Sequence, residues 1–166
     1  MPTEIERKFL VSDDAWRAAV SRRELFRQGY LANTRLCSIR VRLAGHGAWL
    51  GLKGNVRGPV RAEYEYPLPP SEASEILERW CVDGLVEKYR HWVPFAGHEW
   101  EIDEFLGANA GLIVAELELE HEDEAFERPR WLGEEITEDV RYYNSSLAQF
   151  PYSAWPTAGA PGGATA

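Results

Sequence analysis

Most of the chain alternates apolar and polar positions with a period of two, the pattern of a strand buried on one face. Strands are expected over 3–11, 25–32, 37–44, 47–54, 60–68, 85–93, 98–105 and 112–121. Gly45-His46-Gly47 and Phe95-Ala96-Gly97 fall between adjacent runs and mark hairpin turns. Two segments carry helical spacing instead. Asp13 to Arg23 follows Ser12, a suitable N-cap, and sets Ala15, Trp16, Ala19 and Val20 on one side. Ser71 to Val82 follows Pro69-Pro70 and places Ala73, Ile76, Leu77 and Trp80 in one stripe. Shorter helical pieces are expected over 122–127 and after Asn144. Many short, hairpin-linked strands with few helices predict a mainly β (α+β) fold, an antiparallel sheet that closes or nearly closes.

The polar members of this alternation are almost all fully charged, and their signs sort by strand. Glu4 and Glu6 share a face with Lys8; Glu63 pairs in phase with Glu65, Glu101 with Asp103, and Glu116 with Glu118. Cations repeat at Arg40 and Arg42 and at Lys88 and Arg90, and Lys53 stands out of phase with Leu50 and Leu52. A solvated outer face explains any one of these strands, since charged residues are rarely buried unless paired. It does not explain the near absence of Ser, Thr, Asn and Gln, nor the sorting. Both follow if the charged faces point inward, around an interior too wide for side chains to fill. Eight acids and six bases could then nearly balance. Clustered carboxylates bind hard divalent ions through oxygen, and clustered arginines and lysines bind phosphate oxygens, in numbers that suit a chain of phosphates.

Composition limits the setting. At 166 residues and 18.9 kDa the chain has room for one domain with a core. Its formal charge of −9 opposes non-specific binding to nucleic acid or an anionic membrane. No run is apolar enough to span a bilayer, and the charged N-terminus is unlike a signal peptide. Cys37 and Cys81 lack metal-ligand spacing and fit a reduced, cytoplasmic compartment. The last charged residue is Arg141, and the end of the chain is rich in Ala, Gly and Pro. A domain over 1–152 with a flexible tail over 153–166 is expected. His46, His91, His98 and His121 read as surface residues. Trp16, Trp80 and Trp100 read as packing helices onto the outer wall. Asp139 and Arg141 read equally as a pair or cap near the mouth of the interior and as substrate contacts, and Glu101 as a partner for an arginine or a metal neighbour.

The order Glu4-x-Glu6-x-Lys8, Arg40-x-Arg42, Lys53, Glu63-x-Glu65, Lys88-x-Arg90, Asp103, Glu116-x-Glu118 and the closing EEITEDVRY stretch at 134–142 resembles the CYTH superfamily of triphosphate tunnel metalloenzymes. Together with Gln28-Gly29-Tyr30-Leu31, it is most similar to the short bacterial inorganic triphosphatases. The resemblance covers about residues 3–150. It implies a closed eight-stranded antiparallel tunnel with helices packed outside, and Mg²⁺- or Mn²⁺-dependent hydrolysis of triphosphate to pyrophosphate and phosphate. Glu4, Glu6, Glu63, Glu65, Asp103, Glu116 and Glu118 would serve the metal. Lys8, Arg40, Arg42, Lys53, Lys88 and Arg90 would hold the substrate, with Lys53 and Tyr30 in catalytic roles. Homodimers occur in the family. Organic triphosphates remain as alternative substrates (thiamine triphosphate, nucleoside triphosphates, the substrate of a class IV adenylate cyclase), as does a non-catalytic polyphosphate binder. Net acidity disfavours an RNA end.

Overall fold

A computed structural model describes residues 2–55 and 58–156. The strands are β1 (Thr3–Val11), β2 (Arg22–Asn33), β3 (Cys37–Ala44), β4 (Gly47–Gly54), β5 (Val60–Leu68), β6 (Val86–Phe95), β7 (His98–Phe105), β8 (Ile113–Glu118) and β9 (Leu132–Glu135). Neighbours run in the order β5-β4-β3-β2-β6-β7-β8-β1-β9, all antiparallel. A further ladder joins Thr3–Ile5 of β1 to Val60–Ala62 of β5 and closes eight strands into a barrel. The short β9 extends the same edge of β1, opposite Phe9 and Val11.

The apolar faces of the strands form the outer wall. Phe9, Trp100, Ile102, Ala115 and Leu117 from β1, β7 and β8 make one buried cluster, covered by Trp16, Leu119 and Trp131. Trp100 meets Phe9, Phe126 and Trp131 edge to face, a favoured ring arrangement. Helix α1 (Pro70–Arg79) lays Ala73 and Leu77 on Val41 and Ala48 of β3 and β4. Helix α2 (Asn144–Gln149) does something different. Its Leu147 and Ala148 pack with Tyr30, Val86, Phe105 and Val114, which share the inward faces of their strands with the charged residues. It therefore packs against an apolar section of the interior.

Four local expectations change. Asp13–Arg23 is not an α-helix: Ala15–Ala19 forms a 3₁₀ turn, and β2 already begins at Arg22. Only Trp16 of that apolar stripe is buried, so the alanines supply no packing to hold a longer helix. Residues 122–127 contain a turn and no helix; the Glu124 carboxylate accepts the Glu120 N–H instead. His91 is buried against Trp16, with ring centroids 4.9 Å apart, whereas Trp80 is 65% exposed. Of the tail expected over 153–166, residues 153–154 belong to a 3₁₀ turn and Trp155 packs edge to face on Tyr142 and Tyr152, while 157–166 lie outside the described residues. Both cysteines are unpaired, and no helix among the described residues is long and apolar enough to cross a membrane.

Candidate active site

The inward faces meet in a cavity of about 260 Å³ bordered by Glu4, Glu6 and Lys8 of β1, Arg40 and Arg42 of β3, Lys53 of β4, Glu63 and Glu65 of β5, Arg90 of β6, Glu101 of β7, and Glu116 and Glu118 of β8. Asn144 at the start of α2 completes the wall, and among the described residues no apolar side chain lines it. Ladder register decides which charges meet. Lys8 stands opposite Glu116, Lys53 opposite Glu63, and Arg90 opposite Asp103. Arg40 stands opposite Gly51, where an added Cβ would come 3.4 Å from Arg40 Nη2. The guanidinium lies across β4 at this glycine, and an added Cβ would only come into ordinary contact with it. The β2–β3 register shifts between Tyr30 and Ala32, a local irregularity beside the inward Tyr30.

Buried charges need partners, and most here have them. Lys8 Nζ reaches Glu116 Oε1 at 2.7 Å and Glu6 Oε1 at 2.9 Å. Burial pulls its pKa down, but the two carboxylates outweigh that and raise it. Arg90 donates Nη2 to Glu116 Oε2 at 2.7 Å, grips Asp103 through Nε and Nη2 at 2.8 Å each, and pairs with Glu101. Glu116 is buried, which opposes its charge, yet Lys8, Arg90 and Lys88 hold its pKa well below the carboxylate range. Arg40 reaches Glu65 at 3.0 Å and Glu63 at 3.5 Å, and Lys53 pairs with Glu4.

Two groups are not balanced. Arg42 has no carboxylate within ion-pair distance among the described residues; its Nε donates to Gln28 Oε1 at 3.1 Å, and its guanidinium lies 5.0 Å from the centre of the Phe26 ring. Burial, then Arg40 and Arg90 beside it, pull its pKa down to about 10. Glu118 is the converse case. Burial and the carboxylates of Glu4, Glu101, Glu6 and Glu63 push its pKa up. Such crowding calls for an external cation, and the all-oxygen donor set suits a hard divalent ion. Among the described residues no three acidic groups already form a closed ligand set, so an ion would have to draw them together.

Every residue expected at the site from the sequence lies on an inward strand face, but not all line the cavity. Asp103 and Lys88 are fully buried in the wall. Both Asp103 oxygens are taken, Oδ1 by Arg90 and Oδ2 by Arg90 and Lys88, so Asp103 presents no free oxygen to a metal. Tyr30 is 5% exposed and lies in an adjoining recess with Lys53 and Arg40. Asp139 and Arg141 pair with each other at an exposed position. A reading keyed to charge passes over two amides. Gln28 is fully buried, and its Nε2 donates to Asn144 Oδ1 at 3.1 Å and approaches the Tyr30 hydroxyl at 3.4 Å. Asn144 Oδ1 also accepts from Lys88 Nζ at 3.1 Å. These two side chains link Arg42, Tyr30 and Lys88. The available signal was the phase of Gln28 with Phe26 and Tyr30 on β2.

A closed antiparallel barrel with its charges inside and its apolar wall outside defines a charge-lined β-tunnel. The chain belongs to the CYTH family: the CYTH domain model matches residues 2–150. It is 46% identical over 152 residues to an inorganic triphosphatase of Acetivibrio thermocellus, covering 92% of this chain and 97% of the relative. It is 39% identical over 152 residues to an inorganic triphosphatase of Nitrosomonas europaea, covering 88% and 97% respectively. A solved crystal structure of an inorganic triphosphatase superposes with a TM-score of 0.64 at 36% identity, covering 89% of this chain and 95% of that one.

Proposed function

We propose that the protein is a cytoplasmic, divalent-metal-dependent inorganic triphosphatase that converts triphosphate and water to pyrophosphate and phosphate. The observation that carries this is Arg42. A guanidinium kept inside the tunnel without a carboxylate, beside two further arginines, is a site for an anion brought from outside. Arg40, Arg90, Lys8 and Lys53 stand around the same cavity, enough cations for several phosphoryl groups. The names of the relatives support the same substrate. Among the described residues the main cavity is walled by charged and amide side chains; of the rings in the adjoining recess, Tyr143 already carries the Arg61 guanidinium and Tyr30 is 5% exposed, which favours the inorganic substrate over one with a ring to stack.

Glu4, Glu6, Glu63, Glu101 and Glu118 would hold Mg²⁺ or Mn²⁺, with Glu65 and Glu116 beside them; when bound, the ion offsets charge on the phosphate oxygens. Arg40, Arg42 and Arg90 fix the chain of phosphates so that one terminal phosphorus faces water in line with the bridging oxygen to be cleaved. Water bonds to that phosphorus, the bond to the bridging oxygen breaks, pyrophosphate leaves with that oxygen, and the proton the water sheds passes to a phosphate oxygen of the products. Lys53, which pairs with Glu4, grips the phosphoryl under attack, and Tyr30 borders the same recess. Asp103 acts on Arg90 and Lys88, holding both in place, in preference to binding metal. Phosphate release is to be measured with triphosphate, ATP and pyrophosphate, with Mg²⁺ or Mn²⁺ and with excess chelator. Triphosphate should be hydrolysed far faster than the others, and not at all under chelation. Equal rates on ATP refute the specificity, and turnover in chelator refutes the metal requirement.

A further inference from the structure

Arg61 is a second inward cation without a carboxylate at ion-pair distance among the described residues, and it lies outside the set of six read from the sequence. It sits on β5 two positions before Glu63, its backbone opposite Glu4. The guanidinium stacks 4.1 Å from the centre of the Tyr143 ring. That ring is itself anchored. The Tyr143 hydroxyl donates to the Thr137 carbonyl at 3.1 Å, and the Thr137 hydroxyl accepts the Lys8 N–H at 3.0 Å. Tyr143 is thereby tied back to β1, and Arg61 rests on a fixed platform. The recess that Arg61 and Tyr143 border shares Lys8, Arg40, Lys53 and Glu63 with the main cavity, so an anion held in the cavity can extend into it. Ser38, Asn55, Asn144 and Ser145 add uncharged polar groups to its wall, and the carboxylate there, Glu63, is engaged by Arg40 at 3.5 Å.

We propose that Arg61, presented by Tyr143, is a specificity-determining residue that binds the phosphoryl group at one end of the substrate and so separates triphosphate from pyrophosphate. This rests on the triphosphatase reading above. A two-phosphoryl ligand that occupies Arg40, Arg42 and the carboxylate end of the cavity has no group left to reach Arg61. A three-phosphoryl ligand does, and gains a charge-assisted contact with a guanidinium that rests on the Tyr143 ring and is not paired with a carboxylate among the described residues.

The test compares wild type with Arg61→Gln and Tyr143→Leu. Steady-state kinetics on triphosphate are paired with inhibition by pyrophosphate at the same metal concentration. Arg61→Gln should raise KM for triphosphate about tenfold, as expected for one charged hydrogen-bonding contact, with a much smaller change in kcat. Pyrophosphate inhibition should shift less than about twofold, since that ligand does not reach the contact. Tyr143→Leu should move KM in the same direction by less, because the guanidinium stays but loses its platform. An unchanged KM in Arg61→Gln overturns the proposal. So does an equal weakening toward triphosphate and pyrophosphate, which would make Arg61 a general contributor to the field. A wild-type chain that binds triphosphate calorimetrically but releases no phosphate overturns the triphosphatase reading instead. Arg61 is then judged on the calorimetric affinities of the same variants, where selective loss of triphosphate binding supports its role and equal loss refutes it.

Discussion

Replacing Arg42 by Met should make the ligand-free protein more stable and its substrate binding worse. The guanidinium is drawn down from its usual value to about 10 by burial and by Arg40 and Arg90. At about 1.4 kcal/mol per pH unit, keeping it charged costs the fold roughly 3 kcal/mol. Because the folded value lies below the unfolded one, this cost is fully present at about pH 7 and is relieved only as pH rises above about 10 toward the ordinary guanidinium value. Methionine keeps much of the volume and can pack on Phe26. It leaves Gln28 Oε1 without the Arg42 donor, at a cost of about 1–2 kcal/mol. The balance is a gain of about 1–2 kcal/mol, read by denaturant unfolding in buffer free of phosphate and metal. With Mg²⁺ and triphosphate present the order should reverse, since only wild type gains the full binding energy. KM for triphosphate in Arg42→Met should rise by about tenfold or more. A ligand-free Arg42→Met protein less stable than wild type by more than about 1 kcal/mol would show that the cation is already compensated, and the reasoning would fail.

Two further substitutions test the supports of the site. Asn144→Leu removes the acceptor shared by Lys88 and Gln28, and should destabilise the protein by about 1–3 kcal/mol and lower kcat/KM, checked by unfolding and steady-state assays; wild-type values in both would remove Asn144 from the network. Gly29→Ala would put a Cβ 2.3 Å from Cys81 Sγ and 2.8 Å from Leu85 Cδ2, so a loss of about 1–3 kcal/mol is expected by thermal melting, with part recovered when Cys81→Ala is added; no recovery would place the strain elsewhere.

The strands were legible because each inward charge is flanked by outward apolar residues, and a period of two is hard to mistake over eight residues. Closure of the barrel followed from chemistry: charges sorted by sign have little reason to be sorted unless they meet. What the sequence hid depends on tertiary context. The stripe Ala15, Trp16, Ala19, Val20 resembles a helix, but one buried ring outweighs four-residue spacing, and the backbone makes only a 3₁₀ turn before β2. Strand β9 has four residues and one partner, too little pattern to read. Trp80, in phase with Ala73 and Leu77, stands beyond the last helical turn and is exposed, because α1 stops at Arg79. Within the site, sequence phase told which residues face inward, and could not tell how they pair. Asp103 and Glu118 both read as metal carboxylates. Only the packing shows that one is clasped by two cations and the other crowded by four carboxylates.

That crowding raises the question of how the fold tolerates it. Glu6 stands directly opposite Glu118, and Glu101 directly opposite Glu116. Like charges in such cross-strand positions are destabilising. Both pairs lie on β1, β7 and β8. Those same three strands carry Phe9, Trp100, Ile102, Ala115 and Leu117 on their outward faces, all 0% exposed. Burial of large side chains contributes roughly 1.5–3 kcal/mol each, enough to hold strands whose inner faces repel. Lys8 and Arg90 then neutralise Glu116 from two sides, which confines the remaining repulsion to the open part of the cavity. The ladder prevents Glu118 from moving to Arg42, and Arg42 from moving to Glu118, since each is fixed by its own strand. A ligand that carries both signs, a polyphosphate with its divalent ion, is what can satisfy the two at once. The hydrophobic outside of the barrel is thus part of the active site's energetics: it supplies the stability against which an uncompensated interior can be kept ready.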